Sequence, residues 1–136
     1  MIVVDTSALA AIFRREAEAA VFLDILTGAE QAAISPASVL ECSIVLRSTR
    51  ELDADEAEIW LDALIGAIGL EIVPIDEAMT RLAREAHGRF GKGTGHPAQL
   101  NFGDCFSYAL AKSLDAPLLF KGDDFGRTDL ASVFPR

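Results

Sequence analysis

A chain of 136 residues, 51% hydrophobic and 24% charged, is long enough for one core, too short for two domains and too apolar for wholesale disorder. Its formal net charge of −9 excludes the broad basic surface on which indiscriminate nucleic-acid binding depends. No apolar run approaches the ~20 residues of a membrane span and no basic leader precedes an apolar stretch at Met1, so cytoplasmic residence is expected.

In chain order, Ile2 to Val4 read as a buried strand that ends at Asp5. Ser7 is suited to cap a short helix to about Arg14, and a second helix from about Glu16 to Leu26 stops at Gly28. Gln31 to Ile34 form a second strand. Ser35-Pro36 then supply a capping hydroxyl and a proline at the first helical position for a helix to about Thr49. Asp53 with Glu56 resembles a capping box, and the apolar stripe Ala57, Trp60, Leu61, Leu64, Ile65, Ile68 runs to Gly69. Leu70 to Ile75 read as a strand, and Asp76 caps a helix with the stripe Met79, Leu82, Ala83, Ala86. The glycines from Gly88 to Gly95, with Pro97, read as a mobile loop. After it come a helix from Gly103 to Leu114, a strand at Leu118 to Phe120, and a last strand at Ser132 to Phe134. Strands alternating with helices predict an α/β fold, a three-layer α/β/α sandwich with a mostly parallel central sheet, as one domain over residues 1–136.

Four acids stand apart from the capping and surface acids. Asp5 follows the first strand, and groups at the carboxyl ends of parallel strands line the ligand crevice. Glu41 lies on a helical face with Ala37, Ile44 and Val45, so its carboxylate must be paired, protonated or bound to a cation. Asp104 opens a helix embedded among Phe102, Cys105 and Phe106, where Gly103 permits close backbone approach; a cap or helix-dipole partner is the plainer role. Asp123 follows the fourth strand, with Asp124 next to it, and an acid in a turn is again the plainer role. Oxygen-only donors suit Mg²⁺ or Mn²⁺, whereas zinc would want histidine or thiolate. His87 and His96 read as helix-end and loop residues, and Cys42 and Cys105 as buried thiols. Arg14-Arg15, Arg47 with Arg50, and Arg81, Arg84, Arg89 and Lys92 form local basic patches.

At these residues the sequence resembles the PIN-domain ribonucleases and, within them, the VapC-like toxins of type II toxin–antitoxin pairs. The resemblance is carried by Ile2-Val3-Val4-Asp5-Thr6-Ser7-Ala8, by Ser35-Pro36-Ala37-Ser38-Val39-Leu40-Glu41, by the run from Leu100 to Ala111 around Asp104, and by Leu118 to Phe125. It implies a Mg²⁺-dependent endoribonuclease (Mn²⁺ as the alternative ion) that hydrolyses RNA with metal-activated water to leave a 5′-phosphate. Asp5, Glu41, Asp104 and Asp123 match the family's site acids, with Asp124 as the neighbouring alternative or a supporting group, and Thr6 and Ser7 match hydroxyls that orient the first acid or a metal-bound water. Arg14, Arg15 and the Lys92 loop are candidates for phosphate contact. A cognate VapB-like antitoxin and a homodimer are the implied protein partners, with Phe13, Phe22 and Trp60 able to supply a groove, a dimer seam or ordinary core.

Other readings fit less well. A haloacid-dehalogenase-like phosphatase wants a second Asp two residues after the first, where this chain has Ser7. A receiver domain does not place a carboxylate like Glu41 inside a helix. Gly91-Lys92-Gly93-Thr94-Gly95 is neither a Walker A loop nor a dinucleotide fingerprint and follows no strand. A solo RNA-processing nuclease without antitoxin, and a PIN-like binding module without catalysis, are the alternatives within the resemblance.

Overall fold

The computed structural model describes residues 1–49 and 52–134; Arg50, expected to join Arg47 in a basic patch, lies outside them. Strand β1 (Ile2–Val4) is flanked by β2 (Ala32–Ile34) and β4 (Leu118–Leu119), and β3 (Glu71–Ile72) pairs with β2, giving the order β3-β2-β1-β4 with every pair parallel. Parallel neighbours need long crossovers, and helices supply them: α1 (Thr6–Phe13), α2 (Ala19–Gly28), α3 (Pro36–Arg47), α4 (Ala54–Ile68), α5 (Glu77–Phe90) and α6 (Phe102–Leu114).

The pleat sorts the strand residues to two faces. Val3, Ala33 and Leu118 pack with Met79, Ala83 and Phe90 of α5 and Leu110 of α6, while Val4, Ile34 and Leu119 pack with Leu9, Phe22, Leu46 and Leu61 of α1 to α4. The result is the expected three-layer α/β/α arrangement around a parallel sheet. Local chemistry sets most helix ends. Ser35 Oγ accepts from Ala37 N–H with Pro36 at the first helical position, and Asp53 and Asp76 accept from Glu56 and Met79 N–H. Gly69 closes α4 in the left-handed conformation (φ 73°) that glycine adopts without penalty.

Several boundaries differ from the sequence expectation. The second helix begins at Ala19 rather than Glu16: the chain leaves α1 through Arg15 in the left-handed conformation (φ 52°), and Glu16 and Glu18 both pair with Lys121. Helix α5 continues through Gly88 to Phe90, its apolar stripe outweighing the cost of one helical glycine. The third strand shrinks to two residues, and Ser132 makes a single parallel bridge to Leu118 in place of a last strand. The glycine-rich loop is tied down: Lys92 N–H donates to Leu100 O (2.8 Å), Thr94 Oγ1 to Gly91 O (2.6 Å) and Arg127 to Pro97 O (3.0 Å).

Candidate active site

Asp5 leaves the end of β1 only 3% exposed. The sequence pointed to Ser7 as the cap of α1; the cap is Asp5, whose Oδ2 accepts Ser7 N–H at 2.9 Å. The Ser7 hydroxyl instead accepts Lys121 N–H (3.0 Å), joining the first turn of α1 to the segment after β4. A carboxylate two residues earlier takes an orphan amide of the first turn and is also fixed at the sheet edge.

The other Asp5 oxygen, Oδ1, accepts from Ser107 Oγ of α6 at 2.6 Å, and Ser107 Oγ lies 3.1 Å from Ser38 Oγ of α3. Thr6 Oγ1 donates to Ser38 O (3.1 Å). These hydroxyls are buried, so β1, α1, α3 and α6 are joined by one polar network around the first acid. Ser38 and Ser107 were not singled out from the sequence. Both carry a readable signal: each is three residues from a candidate acid on its own helix (Ser38 and Glu41, Asp104 and Ser107), which puts serine and acid on one helical face.

Glu41, half-buried on α3, leans against the backbone of α6 at Gly103. A Cβ there would lie 2.9 Å from Glu41 Oε1 and closer still to Oε2, so glycine is what lets the carboxylate reach the first turn of α6. In that turn Asn101 and Asp104 form a reciprocal capping box: Asp104 N–H donates to Asn101 Oδ1 and Asn101 N–H to Asp104 Oδ2, both at 2.9 Å. The plainer cap role expected of Asp104 is therefore real, but incomplete. Burial pushes its carboxyl up to about 7; the Asn101 N–H opposes this, and the charges of Asp5, Glu41 and Asp124 add to it.

Asp124 is among the charges acting on Asp104. Asp123 lines a groove of about 530 Å³ between α2 and the segment after β4, with Val21, Phe22, Phe120, Lys121 and Phe134. Phe13 and Trp60 are instead packed edge to face at 4.8 Å. Arg14, Arg15 and Lys92 are exposed and make no ion pair among the described residues.

No Lys, Arg or His pairs with Asp5, Glu41 or Asp104 among the described residues. Buried negative charge without a counter-charge is costly, and an external cation or a retained proton relieves it. Three His, Cys, Asp or Glu side chains already gathered as a metal site are not found among the described residues. The donor chemistry nonetheless fits a hard divalent ion, being all carboxylate. Soft donors are withdrawn: burial first, then nearby acids, push the Cys42 thiol up to about 12 and the Cys105 thiol up to about 11, so both stay protonated.

Comparison with known proteins gives a consistent picture. The PIN domain family matches residues 2–130. Ribonuclease VapC28 of Mycobacterium tuberculosis is 48% identical over 134 residues, 98% of each chain. Among solved structures, VapC20 of Mycobacterium tuberculosis, a toxin that cleaves the sarcin–ricin loop, superposes with a TM-score of 0.77 at 17% identity over 99% of this chain and 100% of that one. VapBC2 of Rickettsia felis, bound to a fragment of its promoter DNA, gives a TM-score of 0.74 at 18% identity over 97% and 96% of the two chains. At such identities the structural matches speak for the fold alone.

Proposed function

The chain belongs to the PIN-domain family and, within it, to the VapC ribonucleases, and from that membership we propose that Asp5, Glu41 and Asp104 form the centre at which it cleaves RNA. It acts as an endoribonuclease and as the toxin of a toxin–antitoxin pair, depending on a divalent metal as its family does. Mg²⁺ is the resident ion, with Mn²⁺ able to replace it, since the donors are all oxygen. When bound, the cation lowers the pKa of an attacking water and offsets charge developing on the phosphate.

The protein's own part is positioning. Ser7 N–H and Ser107 Oγ hold the two oxygens of Asp5, and the Asn101 cap holds Asp104. Gly103 lets Glu41 close the third side. Asp104, lifted to about 7 without a cation, gives up its proton when one binds, so affinity rises with pH. The action of Asp124 on Asp104 supports Asp124 over Asp123 as the fourth acid. Thr6 steadies the site through Ser38 O, and Ser7 through Lys121 N–H. The observation that carries the assignment is that the charges of Asp5, Glu41 and Asp124 act on the half-buried Asp104, which has no ion-pair partner among the described residues.

A VapB-like antitoxin is the protein partner, and the groove of about 530 Å³, mostly apolar with Lys121 and Asp123 on its wall, suits an amphipathic segment of it. The chain acts as a single domain, in the cytoplasm, as a homodimer; exposed Leu40 and Ile44, one turn apart on α3, support a self-complementary seam. No described helix is long and apolar enough to cross a membrane.

The test is cleavage of end-labelled RNA in Mg²⁺, in EDTA and after Mn²⁺ addition. Asp5→Asn is expected to reduce cutting to background with the fold retained by circular dichroism. Wild-type rates in that variant, or cleavage that survives chelation, would sink the assignment. Asp124→Asn is expected to lose more activity than Asp123→Asn, and the reverse order returns the fourth position to Asp123.

A further inference from the structure

Helix α6 buries Cys105 and the whole run from Ser107 to Ala111, yet its first residue, Phe102, is 79% exposed. Single exposed apolar side chains are ordinary; the position of this one is not. It lies two residues before Asp104 and directly before Gly103, against which Glu41 leans. Its ring is braced rather than loose, because Phe106, one turn on, meets it edge to face at 5.0 Å and 76°.

Beside the ring is a cavity of about 250 Å³ walled by Ala83, Arg84, His87, Phe102, Cys105 and Phe106. Arg84 and His87, one turn apart on α5, are the wall's cationic and imidazole groups. Arg81 pairs with Glu77 and Arg89 with Asp129, but Arg84 makes no ion pair among the described residues. His87 lies close against Gly91, where a Cβ would strike both its ring and its carbonyl oxygen. A chain of net charge −9 thus keeps an uncommitted guanidinium next to an open aromatic face, at the edge of its carboxylate cluster.

We propose that this cavity is a subsite for an unpaired RNA base adjoining the scissile phosphate, with Phe102 stacking on the base, Arg84 contacting the flanking phosphate and His87 bordering the base edge. The inference rests on the ribonuclease reading and adds how substrate is placed. Stacking on a fixed aromatic and pairing of phosphate with arginine are the two contacts by which single strands are gripped. Charge favours RNA over a protein occupant, since an apolar peptide segment would bury Arg84 without a partner.

The experiment uses unstructured ribo-oligonucleotides cut by the wild-type protein, each remade with a single abasic residue at successive positions around the cleavage point. At one flanking position the abasic change is expected to lower wild-type kcat/KM roughly tenfold to a hundredfold. Phe102→Ala should lose the same factor on the intact oligonucleotide and nothing further on the abasic one. Phe102→Trp and Phe102→Tyr should restore the rate, and Phe102→Leu should not. Because the side chain is exposed, thermal unfolding should be unchanged in all four variants. Arg84→Gln should weaken every oligonucleotide alike and reduce the log–log salt slope of binding by about 0.7.

Phe102→Ala cutting at the wild-type rate overturns the subsite, as do losses from the variant and the abasic position that multiply. Unchanged cutting with altered mass in light scattering, or with weakened antitoxin binding, reassigns Phe102 to a protein interface. Wild-type protein that cuts no RNA in Mg²⁺ or Mn²⁺ overturns the ribonuclease reading and the subsite together.

Discussion

Asp104, in the first turn of helix α6, and Asp129, bonded to Tyr108 of the same helix, meet opposite fates. Asp129 accepts the Tyr108 hydroxyl at 2.7 Å and lies 2.9 Å from Lys112 Nζ and 3.5 Å from Arg89. Burial works against its charge, but Tyr108, Lys112 and Arg89 together outweigh this and hold its carboxyl below the usual range. Asp104 has a cap amide and three acids for company, and is lifted to about 7. An aspartate whose charge the protein itself balances fastens the chain. One whose charge is left unbalanced holds its proton to higher pH.

The largest effect expected from breaking this contrast is at Asp104. Asp104→Asn should bring RNA cleavage to background while raising the stability of the cation-free protein, because it removes the charge that burial penalises. Loss of activity accompanied by unfolding in calorimetry would make Asp104 a structural acid like Asp129.

Next in size is Ser107→Ala, which leaves Asp5 Oδ1 buried without its donor. Groups that orient a metal ligand typically contribute 10- to 100-fold; a loss of about that size is expected, with a rise in the Mg²⁺ concentration needed for half-maximal cleavage. A drop in rate with no shift in the Mg²⁺ titration would separate Ser107 from the metal.

The pH dependence sharpens the comparison. The folded value for Asp104, about 7, exceeds the ordinary value of 3.8, so its contribution to stability is full below about 4 and is lost as pH rises through 7. The difference corresponds to at most about 4 kcal/mol, less what solvent access returns. Unfolding midpoints of the cation-free protein should therefore fall between about pH 4 and 7 relative to Asp104→Asn, and added Mg²⁺ should recover more stability at the higher pH. Parallel curves for the two proteins would refute the coupling. Asp129 has the opposite sign: its folded value is depressed, so its stabilisation is present above the ordinary Asp value and is lost as pH falls through the lower folded one.

Smallest is Asp129→Asn. Its side chain is 39% exposed, so solvent screens the ion pairs and a loss of about 1 kcal/mol in denaturant unfolding is expected, with cleavage unaffected. A large loss of cleavage would join Asp129 to the active site.

Much of this architecture is readable one turn at a time. Ser35-Pro36, Asp53, Asp76 and Gly69 mark helix ends through hydrogen bonds and dihedral angles that span a few residues. The apolar stripes of α4 and α5 do the same for their buried faces. Misreadings arose where distant contacts intervene. Glu16 reads as a helix start, but it pairs with Lys121 and the helix begins at Ala19; Ser7 reads as a cap until Asp5 takes its amide and Lys121 N–H takes its hydroxyl.

The sequence by itself determined an alternating α/β chain, its parallel sheet and the four segments that carry acids, because strand and helix periods are local properties. Tertiary structure alone decided which groups meet around those acids. The Asp5–Ser107–Ser38 chain joins residues up to 102 apart in sequence, and Glu41 leans on the first turn of α6 at Gly103, which has no side chain in its way. Asp123 and Asp124 are indistinguishable as letters. Asp123 is on the wall of the groove beside α2 and the charge of Asp124 acts on Asp104, relations that exist only once the sheet and the helices are packed together.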